Sequence, residues 1–381
     1  MRNFVSMDLF NVYPRFSVAP VRAEGVYVYD AENQAYLDLY GGHGVISVGH
    51  NHPEYLERLT EQIRKISFYS NAVEIPLQNK LAKRLGSVSR YEDYQLFLCS
   101  SGAEANENAL KVASFATGRK KVVAFENGFH GRTAAALNVT DNPNLSAPLN
   151  RDNFPVVRLP LNDEAALETA LQGKDVAAVI VEGIQGVGGL DRPSEVFLQF
   201  ARRCTRQYGT KLVLDEIQSG FGRSGRFFAH QHAGIQADVI SMAKGMGNGF
   251  PVGGVLIHPD IKAEYGMLGT TFGGNHAACA ATLAVLDILE KEKLIAHADT
   301  LGTQLQEEFA HLPGVQRVKG RGLMLGLDMG TPIKALRQRL LEEHRIFTGS
   351  SANPNVIRIL PPLPIQYAEI KTFIEAFKKT I

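Results

Sequence analysis

The sequence predicts an α/β fold: a large domain built on a doubly wound, mainly parallel sheet, and a smaller α+β domain drawn from both chain ends. Three observations carry this. Short apolar runs alternate with helical segments through the middle of the chain. Most of those runs are continuously apolar, as strands buried on both faces are. The two ends read instead as short strands mixed with helices. At 381 residues the chain also exceeds the usual size of a single core.

Taken in order, the strand-like runs are 96–99, 121–125, 176–182, 211–215, 238–243 and 253–257. Pro76 opens a helix expected to end near Gly86. Ser194 is placed to cap a helix over 195–208, with Gly209 following as its left-handed stop. The stretches 27–39 and 315–360 supply the short strands of the smaller domain. The expected division is 1–55 for the first part of the small domain, 56–280 for the large domain and 281–381 for the second part. No internal repeat or low-complexity linker interrupts this order.

Forty basic residues against 39 acidic give a net charge of +1. That supplies no field for nucleic acid and no polybasic patch for a membrane, so a small-molecule partner is expected. Cys99, Cys204 and Cys279 are odd in number, far apart and without CxxC spacing, which argues against a disulfide framework or zinc site and fits a cytoplasmic protein. Residues 1–13 carry Asp8 and lack the apolar core of a leader. No stretch reaches the roughly 18 apolar residues of a membrane span.

In open α/β sheets ligands gather at the carboxyl ends of strands, so polar residues closing apolar runs are the ones to inspect. Three stand out: Glu182, Asp215 and Lys244. Lys244 enters the glycine-rich run Gly245-Met246-Gly247-Asn248-Gly249-Phe250-Pro251, where backbone can approach a ligand closely. A desolvated amine there has the lowered pKa of a Schiff-base nucleophile. An isolated lysine at a strand end is more often a solvated residue, so its neighbours decide. Asp215 could hold a protonated ring nitrogen and keep a heteroaromatic ring cationic. Ser100-Ser101-Gly102-Ala103-Glu104 joins a strand to a helix and offers free backbone N–H groups, a cradle for phosphate or simply a capped helix. Phe129-His130-Gly131-Arg132-Thr133 sets an aromatic face beside an arginine able to grip a carboxylate.

Two patterns mislead. Gly220-Phe221-Gly222-Arg223-Ser224-Gly225 matches GxGxxG, but the residues after it are ill-patterned for the long helix that a dinucleotide site needs. The pairs His50/His52 and His230/His232 lack a third ligand at metal spacing, and turn or packing roles suit them better.

Together these residues resemble the class III (subgroup II) aminotransferases of pyridoxal-phosphate (PLP) fold type I, in the acetylornithine and ornithine aminotransferase branch. The likeness spans nearly the whole chain. Its markers are Gly49-His50-Asn51-His52-Pro53, Ser101-Gly102-Ala103-Glu104-Ala105-Asn106, Phe129-His130-Gly131-Arg132-Thr133, Asp215-Glu216-Ile217-Gln218, Lys244 and Thr271-Phe272-Gly273-Gly274-Asn275. The resemblance implies pyridoxal 5'-phosphate linked to Lys244, with Asp215 on the ring nitrogen and Gln218 on the ring hydroxyl. It further implies phosphate on Ser101, Gly102 and Ala103, and Phe129 and Ile217 on the two ring faces. Arg132 and Arg358 match arginines that receive substrate carboxylates. Thr271 matches a hydroxyl that reaches the phosphate of the neighbouring subunit, implying a homodimer with shared active sites. The implied reaction moves the δ-amino group of an acetyl- or succinylornithine to 2-oxoglutarate, in arginine biosynthesis. Ornithine or 4-aminobutyrate as donor, or another PLP reaction on the same fold, stays open.

The chain departs from its relatives twice. Their VEPIQGE reads Val181-Glu182-Gly183-Ile184-Gln185-Gly186-Val187 here, so Val187 replaces the acid that shields the second arginine. Arg358 is then expected either to stand open to water or to draw in another carboxylate, Glu182 being nearest in sequence. His43 stands where relatives carry a tyrosine or an aliphatic residue lining the substrate. If Lys244 is the linking lysine, borohydride reduction of the yellow protein followed by peptide mapping places the label on Lys244, and Lys244→Ala loses the colour as a covalent adduct. Label on another lysine contradicts the assignment.

Overall fold

A computed structural model describes residues 9–150 and 153–381, so the reading of 1–13 as leader-free falls partly, over 1–8, outside the described residues. Its central sheet has seven strands, in spatial order Gln95–Cys99, Gly253–Ile257, Val239–Met242, Lys211–Asp215, Val176–Glu182, Lys121–Phe125 and Val156–Leu159. All neighbours are parallel except Gly253–Ile257, which runs antiparallel to both strands beside it. Val176–Glu182 is buried along its whole length, as a continuously apolar run requires. Val156–Leu159 is an additional edge strand. Its Arg158 is exposed, so the short run shows no clear apolar signal.

Helix Glu195–Tyr208 has the expected ends: the Ser194 hydroxyl accepts from the Phe197 N–H at 3.0 Å, and Gly209 is left-handed at φ 64°. Helix Pro76–Ser89 continues past Gly86 and stops at Arg90. Gly86 is a packing glycine rather than a terminator, because a Cβ there would come within 3.1 Å of the Glu92 backbone.

The two chain ends meet in the smaller sheets. Arg22–Glu24, Tyr27–Tyr29 and Ala35–Asp38 pair antiparallel, and Ile346–Phe347 joins them by lying parallel to Ala35–Asp38, with Ile346 opposite Leu37. A further antiparallel sheet holds Arg317–Arg321, Met324–Asp328, Val356–Ile359 and Gly349–Ser350. Helix His276–Lys291, buried over most of its length, packs on helices Pro53–Lys65 and Pro76–Ser89 and runs straight through position 280. Among the described residues no helix is long and apolar enough to cross a membrane.

What matters for chemistry is the carboxyl edge of the large sheet. The register sets Glu182 beside Asp215 and Asp215 beside Ser241. Helix Gly102–Thr117 starts just after Gln95–Cys99 and points its N-terminus at the same edge.

Candidate active site

A cavity of ≈ 430 Å³ opens at that edge. Ser101, Gly102, Ala103, Phe129, Arg132, Asp215, Ile217, Gln218 and Lys244 line it together, although they come from four separate stretches of sequence. Glu182, His130, Val187 and the 249–252 segment complete the wall.

The floor is a fixed carboxylate. Asp215 is 4% exposed. Its Oδ2 accepts from Asn106 Nδ2 at 2.7 Å and lies 2.8 Å from His130 Nδ1, while Oδ1 accepts from the Ile217 N–H at 3.0 Å. Asn106 is itself held, donating to the His130 carbonyl at 2.7 Å and accepting from the Ser241 hydroxyl at 2.6 Å. Burial disfavours a charged imidazole at His130, but Asp215 and Glu182 outweigh it and raise its pKa overall. Such bonds to a buried anion are charge-assisted and hold its orientation.

Beside it, Glu182 is buried and accepts from the Phe129 N–H at 2.9 Å and the Gly186 N–H at 3.0 Å. Burial pushes its pKa up to about 7, with His130 pulling down and Asp215 pushing further up. Two carboxylates on neighbouring strands do not both ionise easily in a dry site. Lys244 faces this pair from the next strand end. Burial lowers its amine pKa against the upward pull of Asp215 and Glu182, and Arg358 lowers it further. Its backbone is left-handed at φ 47°, a conformation rare outside glycine that turns the chain sharply as it leaves the strand.

At the opposite end, the Ser101 hydroxyl caps the helix by accepting from the Glu104 N–H at 3.2 Å, and Glu104 returns to accept from the Ser100 N–H at 2.8 Å. This reciprocal cap does not use the first-turn N–H groups of Gly102 and Ala103, which lack intrahelical acceptors at a positive helix end. Cap and anion cradle therefore coexist. Gly102 is closely packed, because a Cβ there would come within 2.9 Å of the Ile217 side chain and force it to shift. On the near side, Gln218 donates to the His43 carbonyl at 2.8 Å, and its buried Oε1 has no partner.

Three expected residues do not line the cavity. Thr271 is exposed on the 258–275 segment. His43 sits beside Tyr40, whose hydroxyl is 2.6 Å from its Nδ1, and its backbone is left-handed at φ 70°. Its pKa is pushed down to about 4, first by burial and then by Arg358, Lys244 and Arg132, although the residue as a whole keeps solvent exposure; all three cations act in the same direction. Arg358 is 3% exposed and donates to the Gly186 carbonyl at 2.8 Å. The expectation of an arginine open to water, or drawn to Glu182, is thus corrected: a backbone carbonyl takes that place, and both Glu182 oxygens are committed to backbone N–H groups.

Asn106 and His130, which hold Asp215 in place, lie inside the marker motifs, where the sequence gives them no role of their own. They bond Asp215 across 109 and 85 residues of chain, a proximity that spacing does not reveal. The misleading patterns resolve structurally. Only the short 3-10 turn Ala229–Ala233 follows Gly225. His50 lies 2.9 Å from Asp38, His52 2.8 Å from Glu292, and His230 is buried between Glu216 at 2.7 Å and Tyr91 at 2.6 Å. His232 lies 3.0 Å from the Ser224 carbonyl.

Residues 11–381 match the family described as aminotransferase class-III. A curated protein of Mycolicibacterium smegmatis, named acetylornithine aminotransferase, is 41% identical over 379 residues, covering 97% of this chain and 94% of its own. The solved acetylornithine aminotransferase of Elizabethkingia anophelis superposes with TM-score 0.85 at 30% identity, over 98% of this chain and 96% of that one. An ornithine aminotransferase of Toxoplasma gondii, described with partial occupancy of PLP at its active site, gives TM-score 0.90 at 27% identity, over 97% and 91%.

The raised Glu182 pKa has a consequence for stability. The unfolded chain releases this proton near 4.5 and the folded one near 7, so the folded state binds the extra proton between them, and stability falls as pH rises through that window. Glu182→Gln, which cannot ionise, should flatten this loss. Tm measured from pH 4 to 9 should show the wild-type and variant curves diverging across that interval; parallel curves would place Glu182 ionised throughout.

Proposed function

We propose, from the premise that this chain belongs to the class-III aminotransferases, that it carries the δ-amino group of an N-acylated ornithine to 2-oxoglutarate, giving the semialdehyde and glutamate in arginine biosynthesis. The enzyme is a PLP-dependent transaminase. The donor is supported by relatives named acetylornithine aminotransferase from several lineages. The observation that carries the site reading is the Asp215 clamp facing a lysine of lowered pKa.

The residues present fit the cofactor. Gly102 and Ala103 would hold the phosphate at the helix end, Asp215 the ring nitrogen and the unpartnered Gln218 Oε1 the ring hydroxyl, between Phe129 and Ile217. When bound, PLP supplies a carbonyl carbon for the substrate amine and a cationic ring that takes up electron density as the substrate C–H bond breaks. Asp215, fixed by three donors, holds the proton on the ring nitrogen. Lys244 Nζ, kept short of its usual basicity by burial, takes the proton from substrate carbon and returns it. Arg132, exposed at the cavity wall, grips the far carboxylate of either substrate and fixes which carbon faces Lys244. Arg358 and His43, assigned to the substrate, stand behind the cavity wall rather than in its lining. Segments 1–55 and 281–381 are assigned to one small domain, supported by their shared sheet.

A homodimer with shared sites accounts for Thr271, assigned to the partner's phosphate. Exposed Phe68 and Phe272, 5.5 Å apart between ring centroids, support an interface there. The cytoplasmic assignment is supported by three free, buried cysteines. Mixing holoenzyme with Nα-acetyl-L-ornithine should bleach its long-wavelength absorbance, and 2-oxoglutarate should restore it with formation of glutamate. A donor panel in which acetylornithine leaves the band unchanged while another ω-amine bleaches it contradicts the donor assignment.

A further inference from the structure

A separate cavity, of ≈ 330 Å³, opens at the opposite edge of the large sheet. The topology puts it there: Lys211 begins the strand that ends in Asp215, Asp238 precedes Val239–Met242, and His258 follows Gly253–Ile257, which runs the other way. The full length of strand Lys211–Asp215, roughly 13 Å, lies between this cavity and the catalytic one. The volume falls at the low end of the roughly 300–1,000 Å³ of small-molecule pockets. Eight of the ten lining residues are charged or polar, so the cavity suits a small polar ligand and no apolar one.

Three cations meet in its wall. Arg202 and Arg206 stand one turn apart on helix Glu195–Tyr208, and Lys211 follows just past its end. Like charges at that spacing destabilise a helix. The macrodipole offsets part of this near a helix C-terminus, but it does not account for Lys211. Arg202 is 7% exposed and bonds through Nη1 alone, to Asp238 at 2.8 Å and to the Gln236 carbonyl at 3.3 Å. Its Nη2 has no acceptor among the described residues, and its Nε is buried without one. Arg206 and Lys211 form no ion pair among the described residues, whereas Arg202 has only Asp238. The Tyr94 hydroxyl, which donates to the Ala237 carbonyl at 2.6 Å, has its pKa raised by burial, Asp238 and Asp93, with Arg202 and Arg206 both pulling the other way. The two guanidiniums thus bear on one spot.

Two acids share the cavity, and they narrow the ligand. Asp238 accepts from Arg202 and from the Leu212 N–H at 2.7 Å, both on Oδ2, and its Oδ1 takes no donor among the described residues. Asp260 is exposed and lies 3.5 Å from His258 Nδ1. A carboxylate ligand, acceptor only at neutral pH, meets these oxygens with like charge and no proton to offer. A phosphoryl group that keeps one proton accepts from the three cations and donates its O–H to a carboxylate, and guanidinium forks match its oxygens. We infer that this cavity binds a phosphoryl group, as inorganic phosphate or a small phosphate monoester, held by Arg202 Nη2, Arg206 and Lys211, with Asp238 accepting its O–H. The site is separate from the cradle at Gly102 and Ala103, which lies at the other edge of the sheet, and it does not depend on which amine the enzyme accepts.

Equilibrium dialysis of the holoenzyme against radiolabelled inorganic phosphate, at fixed ionic strength, tests this, because bound cofactor fills the other cradle. One phosphate should bind per chain. Arg206→Gln should weaken it about fivefold, and Arg206→Gln combined with Lys211→Gln at least about twentyfold, while an unchanged donor half-reaction shows that the fold is intact. Arg132→Gln, in the catalytic cavity, should leave phosphate binding as it is. Sulfate, which carries no proton at neutral pH, should compete at least about fivefold less well than unlabelled phosphate. Glycerol 3-phosphate separates the two sources: competition equal to that of phosphate or better assigns the site to an ester, and weaker competition assigns it to the free anion. Absence of saturable binding, an unchanged constant in the double variant, loss of binding in Arg132→Gln, or sulfate competing as well as phosphate would overturn the proposal.

Discussion

Asp215 is a negative charge held at the end of a buried parallel strand, and the site is arranged around keeping it there. Removing a carboxylate from water costs several kcal/mol unless its oxygens are satisfied. Here Asn106, His130 and the Ile217 N–H satisfy them. The strand register supplies the rest: Ser241 on one neighbouring strand orients Asn106, and Glu182 on the other is driven toward its neutral form by burial and by the charge beside it. Helix Gly102–Thr117 contributes to both ends of the cavity, with Asn106 on Asp215 and the free N–H groups at its start.

From that floor the charge reverses. Lys244, Arg132, Arg358 and Arg337 stand around the cavity and behind its wall, and His43 lies among three of them. A cavity with an acidic floor and cationic walls suits a ligand whose ring is cationic at one atom and whose substrate partners carry carboxylates. The whole-chain charge of +1 conceals this separation, because composition sums what the fold sorts.

The sequence made much of this legible where chemistry and periodicity coincide. Runs such as 176–182 and 211–215 are apolar to their last residue and end in an acid, which marks both strand and site. Val156–Leu159 escaped because an edge strand with an exposed arginine loses the apolar signature. Helix Pro76–Ser89 runs past the glycine that suggests its end, because Gly86 serves packing and not termination. Asn106 and His130 were in view, but their partnership with Asp215 is a matter of folding distance. The neighbour of Arg358 was hidden more deeply, since a backbone carbonyl occurs at every residue and only the pinned loop selects Gly186.

In this site the Asp215 carboxylate acts through charge rather than through shape. Stopped-flow measurement of the donor half-reaction in Asp215→Asn holoenzyme, with bound cofactor quantified in the same sample, tests that directly. The variant should retain cofactor yet react at least roughly a hundredfold more slowly, about 3 kcal/mol of lost transition-state stabilisation, because a neutral amide cannot hold the ring nitrogen protonated. Near wild-type rates with cofactor bound would contradict it.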